Sequence, residues 1–314
     1  MKVFLAGATG ALGARLLPLL VGHGHEVTAT TRKPASVDGL RAAGASPVVV
    51  DALDRAAVVA AVQDARPEVV VHQLTALVGG LDMRRFDRTF AQTNRLRTTG
   101  LDHLLDAAQA AGARRFVAQS FAGWPYARVG GSVKTEADPL DPDPPRELAT
   151  SHAAIRHLEG AVTGAEGLDG LVLRYGLFYG PGTSLAPEGG EQVEMLRKRR
   201  WPVVGAGTGV LSFIHVDDAA AATAAALEGG APGIYNVVDD EPAPVSAFLP
   251  YLAEAISAKP PRRVPTWVGR LAAGDHGVAM MTTVRGASNA KAKQELGWEP
   301  QYPSWRQGFR TLAS

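Results

Sequence analysis

The feature that most restricts the fold of this chain lies at its start, where an apolar run is followed by three evenly spaced glycines. Residues 3–13 read VFLAGATGALG, so Gly7, Gly10 and Gly13 stand three residues apart. The spacing predicts a strand, a tight turn and a helix whose free N–H groups and positive dipole end face a pyrophosphate. The alternative is an ordinary strand–turn–helix corner. The position of the motif at the first strand of a β–α–β series favours a dinucleotide-binding loop.

Short β-branched runs alternate with alanine- and leucine-rich segments through the first half of the chain. Strands are predicted at 2–6, 26–30, 46–50, 68–71, 115–119 and 170–174, and helices at 11–21, 56–65, 93–111 and 153–162. Continuous apolar strands separated by helices are typical of a parallel sheet covered on both faces. With right-handed crossovers, the pattern predicts an α/β fold built on a doubly wound parallel sheet of the Rossmann type.

The pattern loosens after about residue 175, where proline, glycine and tryptophan become more frequent. A strand at 213–216, a helix at 217–227 and a strand at 233–238 remain regular. We therefore predict a Rossmann domain from 1–177 plus 213–241, and a smaller C-terminal substrate lobe from 178–212 plus 242–314.

Composition excludes several classes of function. The 314 residues carry 32 Lys and Arg against 31 Asp and Glu, a net charge of +1, which provides no basic field for nucleic acid. Because cysteine is absent, disulfides, thiolate zinc sites and thiol nucleophiles are excluded, and no metal site is predicted. No segment has the apolar length of a membrane span, and glycine follows the N-terminus too soon for a signal peptide. A cytoplasmic protein without a membrane partner is expected.

The end of the second predicted strand bears on the choice between NAD and NADP. An acidic residue there would bind the ribose hydroxyls of NAD, but the segment reads Thr30-Thr31-Arg32-Lys33. Arg32 and Lys33 suit a 2′-phosphate, with Thr31 as a further donor, which favours NADP(H). The alternative is a solvated basic turn.

Two further segments follow predicted strands at the same edge of the sheet. Asp51, after the third strand, is placed either to accept the adenine amine or to cap a helix, a role that suits Asp54 better. After the fourth strand, Gln73, Leu74 and Thr75 would pass beneath the ribose and pyrophosphate of the cofactor.

Together these segments resemble the extended short-chain dehydrogenase/reductase superfamily, in its NAD-dependent epimerase/dehydratase branch, over nearly the whole chain. The matching segments are GATGALG at 7–13, VVVDALD at 48–54, Asn94, RRFVAQS at 114–120, LRYGLFYGPG at 173–182, FIHVDD at 213–218, GIYNVVDDEP at 233–242 and ELGWEPQYP at 295–303. The resemblance implies a Rossmann domain that binds NAD(P), a buried structural Asn94, and a nicotinamide lined by 175–177. The candidate cofactor-binding residues are Gly7, Thr9, Gly10, Ala11, Leu12, Gly13, Thr31, Arg32, Lys33, Asp51, Ala52, Leu53, Gln73, Leu74, Thr75, Asn94, Gln119, Tyr175, Gly176 and Leu177.

The chemistry of that family rests on a Tyr-x-x-x-Lys pair and an upstream Ser or Thr. When the predicted helix is aligned on Glu159, Ser151 takes the Tyr position and Ile155 takes the Lys position. No other Tyr-x-x-x-Lys occurs in the sequence. Phe121 stands where the catalytic Ser is expected, with Ser120 one residue earlier. The usual proton-transfer pair is therefore absent.

Three side chains are candidates for replacing the lost acid and base. Tyr126 follows the fifth strand at the sheet edge where ligands bind, although an aromatic ring packed under a loop fits equally well. His152 titrates in the useful range, although a solvent-facing histidine at a helix start is the simpler interpretation. Ser120 would either hydrogen-bond a substrate carbonyl or merely cap its strand.

A second departure from the family concerns the substrate. Many sugar-nucleotide members carry an Arg two residues before Phe213 that pairs with the nucleotide diphosphate, and here that residue is Leu211. We therefore expect an NADP(H)-dependent reductase or epimerase acting on a small carbonyl or hydroxyl substrate rather than a nucleotide sugar. The alternatives are a non-redox lyase or isomerase on the same fold, and a catalytically silent NADP-binding sensor. A monomer, or a homodimer paired through the 93–111 and 150–162 helices, is expected.

Overall fold

The computed structural model describes residues 1–77 and 83–313. These ranges contain fifteen strands, and the largest sheet lies at the centre of the fold. The strands are β1 (Lys2–Ala6), β2 (Glu26–Thr31), β3 (Ser46–Val49), β4 (Val69–His72), β5 (Arg115–Phe121), β6 (Val133–Lys134), β7 (Asp169–Tyr175), β8 (Leu177–Tyr179), β9 (Val203–Val204), β10 (Val210–Leu211), β11 (Phe213–His215), β12 (Gly233–Val237), β13 (Ala243–Pro244), β14 (Arg263–Val264) and β15 (Gly286–Ala287). Seven of them form a parallel sheet in the order β12-β7-β5-β4-β1-β2-β3. This order confirms the doubly wound Rossmann sheet that the sequence predicts.

Helices connect the strands and cover the sheet. Within the described residues they are α1 (Ala11–Gly22), α2 (Val37–Ala42), α3 (Arg55–Ala65), α4 (Phe86–Thr89), α5 (Ala91–Arg95), α6 (Leu101–Ala110), α7 (Ala149–Thr163), α8 (Glu191–Arg197), α9 (Val216–Ala225), α10 (Val245–Ala255), α11 (Thr266–Thr282), α12 (Ala290–Leu296) and α13 (Trp305–Arg310). None of the helices in the two described ranges is long and apolar enough to span a membrane.

Alternate residues of the central strands point into two helical layers, because successive side chains of a strand face opposite sides. On one face, Leu5 and Val71 pack with α1 and α9. On the other face, Phe4 and Val70 pack with α3, α6 and α7. A third apolar cluster, which includes Phe248 of α10, packs residues of the C-terminal part of the chain against Phe86, Trp124 and Ile155.

A buried cation ties the segment after α9 back to the sheet. Arg115 of β5, which is 6% exposed, donates from Nη1 to the carbonyl oxygens of Ala226 and Gly229 at 3.0 and 2.6 Å. Its Nη2 donates to the carbonyl oxygen of Gly230 at 3.2 Å. β12 begins shortly after these carbonyls and pairs with β7 at the edge of the sheet.

One helix differs from the sequence expectation. The helix predicted over 93–111 is formed by α5 and α6 with a π-helical turn, Leu96–Gly100, between them. A π turn widens the helix by one residue and so changes which side chains face the sheet. The domain boundaries expected from the sequence stay predictions, and residues 78–82 and 314 of those domains lie outside the described residues.

Candidate functional site

The turn from β1 into α1 has a backbone geometry that requires glycine at positions 7 and 13. Gly7 has a positive φ of 99°, and a Cβ on it would lie 2.6 Å from the carbonyl oxygen of Gln73. A Cβ on Gly13 would lie 2.2 Å from the carbonyl oxygen of Gly7, so the helix approaches the turn more closely than any side chain permits. The Gly10 N–H donates to the Gly7 carbonyl oxygen at 3.1 Å and closes the turn.

α1 begins at the sheet edge without a side-chain cap. Its N-cap residue, Gly10, is exposed, and the Ala14 N–H donates to the Gly10 carbonyl oxygen at 2.9 Å. The N–H groups of residues 11–13 precede that bond at the positive end of the helix dipole. Thr9 is exposed beside them, whereas Leu12 is buried in the core. Uncapped amides above a glycine cradle fit the pyrophosphate of a dinucleotide.

The basic residues at the carboxyl end of β2 are available to a ligand. Arg32 and Lys33 are both exposed. Thr31 is buried, and its Oγ1 accepts a hydrogen bond from the Lys33 N–H at 3.0 Å. Thr31 therefore shapes the turn that presents the two cations.

The two aspartates that follow β3 have different hydrogen-bonding roles. Asp54 caps α3, because its Oδ1 accepts a hydrogen bond from the Ala57 N–H at 3.1 Å, which confirms the capping role predicted for it. Asp51 is exposed, and its Oδ1 accepts from the Leu53 N–H at 3.0 Å. Ala52 is buried next to it. The adenine contact of Asp51 stays a prediction.

Gln73 and Tyr175 meet inside the protein. Gln73 Nε2 donates to the Tyr175 hydroxyl at 3.1 Å, and that hydroxyl lies 2.7 Å from Thr223 Oγ1. Burial raises the pKa of Tyr175 above its usual range. The Tyr175 side chain thus belongs to the layer of α1 and α9. The half-buried residues at the sheet edge are Leu74, Thr75, Gln119 and Leu177, and a Cβ on Gly176 would lie 2.8 Å from the carbonyl oxygen of Ser212.

The two positions of α7 that matter for proton transfer are both buried. Ser151 Oγ donates to Asp87 Oδ1 at 2.6 Å and accepts from Asn94 Nδ2 at 2.9 Å. The same Asp87 carboxylate accepts from the N–H groups of Thr150 and Ser151 at 2.8 Å each and so caps the helix. Ile155 is buried in an apolar cluster. Neither position supplies a phenol or an ammonium group.

Ser120 and Tyr126, two of the three acid–base candidates, meet through a buried ion pair. Glu159 accepts hydrogen bonds from Ser120 Oγ at 2.7 Å and from Arg174 Nε and Nη2 at 2.8 and 2.6 Å. Arg174 Nη1 donates to the Tyr126 hydroxyl at 3.0 Å, and that hydroxyl donates to Asn236 Oδ1 at 2.5 Å. Burial raises the pKa of Tyr126, which is 1% exposed. The polar atoms of this network face one another, which favours a structural role for both candidates.

The third candidate, His152, lies apart from that network. It is 2% exposed, so the solvent-facing alternative is wrong. Its Nε2 lies 3.2 Å from the Pro125 carbonyl oxygen, and its ring centroid lies 6.3 Å from that of Trp124. Because a carbonyl oxygen only accepts, Nε2 carries the proton of the neutral ring and Nδ1 carries none. Burial lowers the pKa of His152, which disfavours the imidazolium that could donate from Nδ1.

Residues 3–237 match the NAD dependent epimerase/dehydratase family. The chain belongs to this family. A 3-diazoavenalumate denitrifying reductase from a Streptomyces species is 48% identical over 313 residues, which cover 98% of this chain and 99% of the relative. The solved UDP-glucose 4-epimerases of Thermotoga maritima, with UDP-glucose, and Thermus thermophilus, with NAD, align with TM-scores of 0.77 and 0.74. They are 22% and 26% identical to this chain, covering all of it and 97% and 98% of their own lengths.

This member of the epimerase/dehydratase family carries a buried cation that sequence reasoning missed. Arg97 lies in the π-helical turn and is 6% exposed. Among the described residues, none accepts a hydrogen bond from its buried Nε or Nη1, and Oδ1 of Asn94 and Nδ1 of His72 also lack partners. The signal was an arginine three residues after Asn94 and four before Leu101, on the stripe of the helix that faces the core.

Proposed function

We propose that this chain is an NADP(H)-dependent reductase whose substrate carries an aryl diazo group in its cationic diazonium form, which it replaces by hydrogen with loss of dinitrogen. The observation that carries the proposal is the composition of α7. Ser151 is held by Asp87 and Asn94, and Ile155 is buried among apolar side chains. Chemistry that needs no proton from a Tyr/Lys pair is therefore favoured. The relative that is 48% identical is named as a denitrifying reductase of a diazo compound, which supports the same substrate class.

The chemical argument concerns where a proton is needed. A bound reduced nicotinamide supplies a hydride. A carbonyl group that accepts a hydride becomes an alkoxide, so its reduction requires a positioned acid. A diazonium group is already cationic, and addition of a hydride neutralises it before its two nitrogen atoms leave as dinitrogen. The net change replaces dinitrogen by hydrogen, and the protein need only bind, orient and shield the reactants.

The residues suited to hold NADP(H) lie along the carboxyl edge of the sheet. The uncapped amides of residues 11–13 suit the pyrophosphate. Arg32 and Lys33 suit the 2′-phosphate, and the segment 30–33 has no carboxylate that would repel it. We infer that Asp51 lies at the adenine end of this cleft and Gly176 at the nicotinamide end.

A cluster of rings around Trp124, which follows β5, suits a planar substrate. Trp124 lies with its ring centroid 5.3 Å from that of Phe86 and 6.1 Å from that of His276 of α11. Burial lowers the pKa of His276 to about 4, so this ring is neutral at physiological pH. We infer that these rings form an apolar wall that excludes water from the reacting diazo group.

The proposal is tested with the purified chain, NADPH or NADH, and matched panels of arenediazonium salts and aldehydes or ketones. We expect one NADPH consumed for each product in which hydrogen replaces the diazo group, measured by absorbance and mass spectrometry. Spontaneous hydrolysis introduces a hydroxyl group instead, so product mass separates the two routes. Faster turnover of the carbonyl panel would overturn the diazo assignment, and a silent sensor would bind NADPH but convert neither panel.

Cofactor choice is tested separately by fluorescence titration. Arg32→Ala should weaken NADPH binding about tenfold or more, because a charge-assisted contact to the 2′-phosphate is lost, and should leave NADH binding unchanged. Arg41→Ala is the matched control, since Arg41 is exposed nearby and paired with Asp38. Equal effects of Arg32→Ala on both cofactors would contradict the role given to Arg32.

A further inference from the structure

The buried guanidinium of Arg97 has no described hydrogen-bonding partner to account for its position. Its Nε and Nη1 atoms are buried and unpartnered, and the Phe90 ring centroid lies 6.0 Å from its Cζ, at the outer limit of a cation–π contact. Burial lowers the pKa of Arg97 to about 10, which leaves it charged at neutral pH. A buried charge without a partner is costly, and a protein keeps it where a ligand completes its hydrogen bonds.

Neighbouring carboxylates do not fill this role. The negative charge that stabilises the guanidinium electrostatically is Glu159, but its oxygens already accept one hydrogen bond from Ser120 and two from Arg174. His72 does not accept a hydrogen bond from Arg97 either, because its Nε2 lies 3.1 Å from the Leu96 carbonyl oxygen and its Nδ1 has no partner among the described residues. The free donors of Arg97 therefore remain to be satisfied.

The position of Arg97 matches the site where the family lysine is missing. The contact between Asn94 and Ser151 aligns the helix that contains Arg97 with α7. Both helices follow strands of the same parallel sheet and therefore run in the same direction. Arg97 lies one turn beyond Asn94, and Ile155 lies one turn beyond Ser151, so Arg97 and Ile155 lie at the same height along the two helices. Arg97 also interacts electrostatically with Glu159, which lies one turn beyond Ile155, and this interaction agrees with the alignment of the two helices.

We propose that Arg97 supplies the cation that Ile155 does not, and that it binds the hydroxyl groups of the nicotinamide ribose. A ribose diol both accepts and donates hydrogen bonds. Arg97 provides unpartnered donors, and Asn94 Oδ1, one turn away, provides an unpartnered acceptor. Arg97 thus acts as a positioning residue for the hydride-bearing half of the cofactor. The inference rests on the proposed binding of NADP(H).

The test compares two ligands that differ by the nicotinamide ribose. NADPH contains it, whereas adenosine 2′,5′-bisphosphate has only the adenine half. We expect Arg97→Met to weaken NADPH binding about tenfold or more and to leave the bisphosphate unchanged, as measured by calorimetry. Adding Ile155→Lys to Arg97→Met should restore part of the NADPH affinity, because an ammonium group then returns to the family position.

The outcomes separate this inference from the proposed function. If the native chain binds neither ligand, the cofactor proposal fails and the inference fails with it. If the bisphosphate binds normally but Arg97→Met leaves NADPH affinity unchanged, the role of Arg97 alone is overturned. If the role of Arg97 were purely structural, Arg97→Met would lower the melting temperature of the unliganded chain and would weaken the binding of NADPH and of the bisphosphate together. Should Arg97→Met not fold, Arg97→Gln removes the charge and shortens the side chain while keeping it polar, and a selective loss for NADPH would support the inference, whereas an unchanged ratio would refute it.

Discussion

Asp239 provides the sharpest test of the electrostatics of this fold. It follows β12, is 1% exposed, and its Oδ2 has no hydrogen-bonding partner among the described residues. Its Oδ1 accepts a weak hydrogen bond from the Glu241 N–H at 3.3 Å. Burial, reinforced by the charges of Glu241 and Asp240, raises the pKa of Asp239 from 3.8 to about 8. The carboxyl group is therefore protonated in the folded chain at neutral pH.

The sign of the pH effect follows from proton counting. Below pH 4 the carboxyl group is protonated in both states, so it imposes no penalty. Between pH 4 and pH 8 the unfolded chain loses the proton and the folded chain keeps it, so the free energy of unfolding falls by about 1.4 kcal/mol per pH unit. Above pH 8 both states are ionised and the loss is constant. The shift from 3.8 to about 8 corresponds to a total of about 6 kcal/mol.

Asp239→Asn removes the ionisation and keeps the shape of the side chain. Urea unfolding at a series of pH values should show the variant gaining stability relative to the native chain from pH 4 to pH 8, with no further gain above. Asp38→Asn is the control, because Asp38 is exposed, its ion pair with Arg41 lies on the surface and contributes little to stability, and it is not among the charges that act on Asp239. A difference between Asp239→Asn and the native chain that stays constant over this range would refute the argument.

Three further changes test the loop, the ion pair and the phenol. Gly13→Ala should abolish NADPH binding, because its Cβ would lie 2.2 Å from a carbonyl oxygen, whereas Gly22→Ala, with open space around it, should bind normally in the same titration. Glu159→Gln should lower the free energy of unfolding by about 3–5 kcal/mol, because it breaks a buried pair, whereas the exposed Glu194→Gln should change it little, both measured by urea unfolding. Tyr126→Phe should cost about 1–3 kcal/mol of stability but preserve kcat, and a large loss of kcat would restore Tyr126 as the acid.

The sequence predicted the elements whose cause is local. The apolar run before Gly7 ends where the glycine turn begins, and β1 spans the predicted residues. Asp54, predicted as a helix cap, accepts a hydrogen bond from the Ala57 N–H three residues later, and α3 begins at the next residue. In each case the residues that determine the structure are neighbours in the chain.

The roles of the candidate catalytic residues depend on contacts that no local pattern reveals. Tyr126 follows β5 along the chain, but its hydroxyl bonds to Asn236, 110 residues away. Ser120 likewise bonds to Glu159, 39 residues away. The π turn around Arg97 was missed because its residues continue a helical pattern, and hydrogen-bond spacing within a helix leaves no signature in apolar periodicity.

β12 is the last strand of the central sheet to be synthesised, and this order affects how the chain folds during synthesis. A nascent chain that ends after β7 exposes the edge of β7 that β12 will cover, and an uncovered edge strand is a site for pairing with other chains. The carbonyls of Ala226, Gly229 and Gly230 that receive Arg115 are missing at the same stage. We therefore expect the N-terminal part of the sheet to stay incomplete, with an edge open to aggregation, until β12 has emerged from the ribosome.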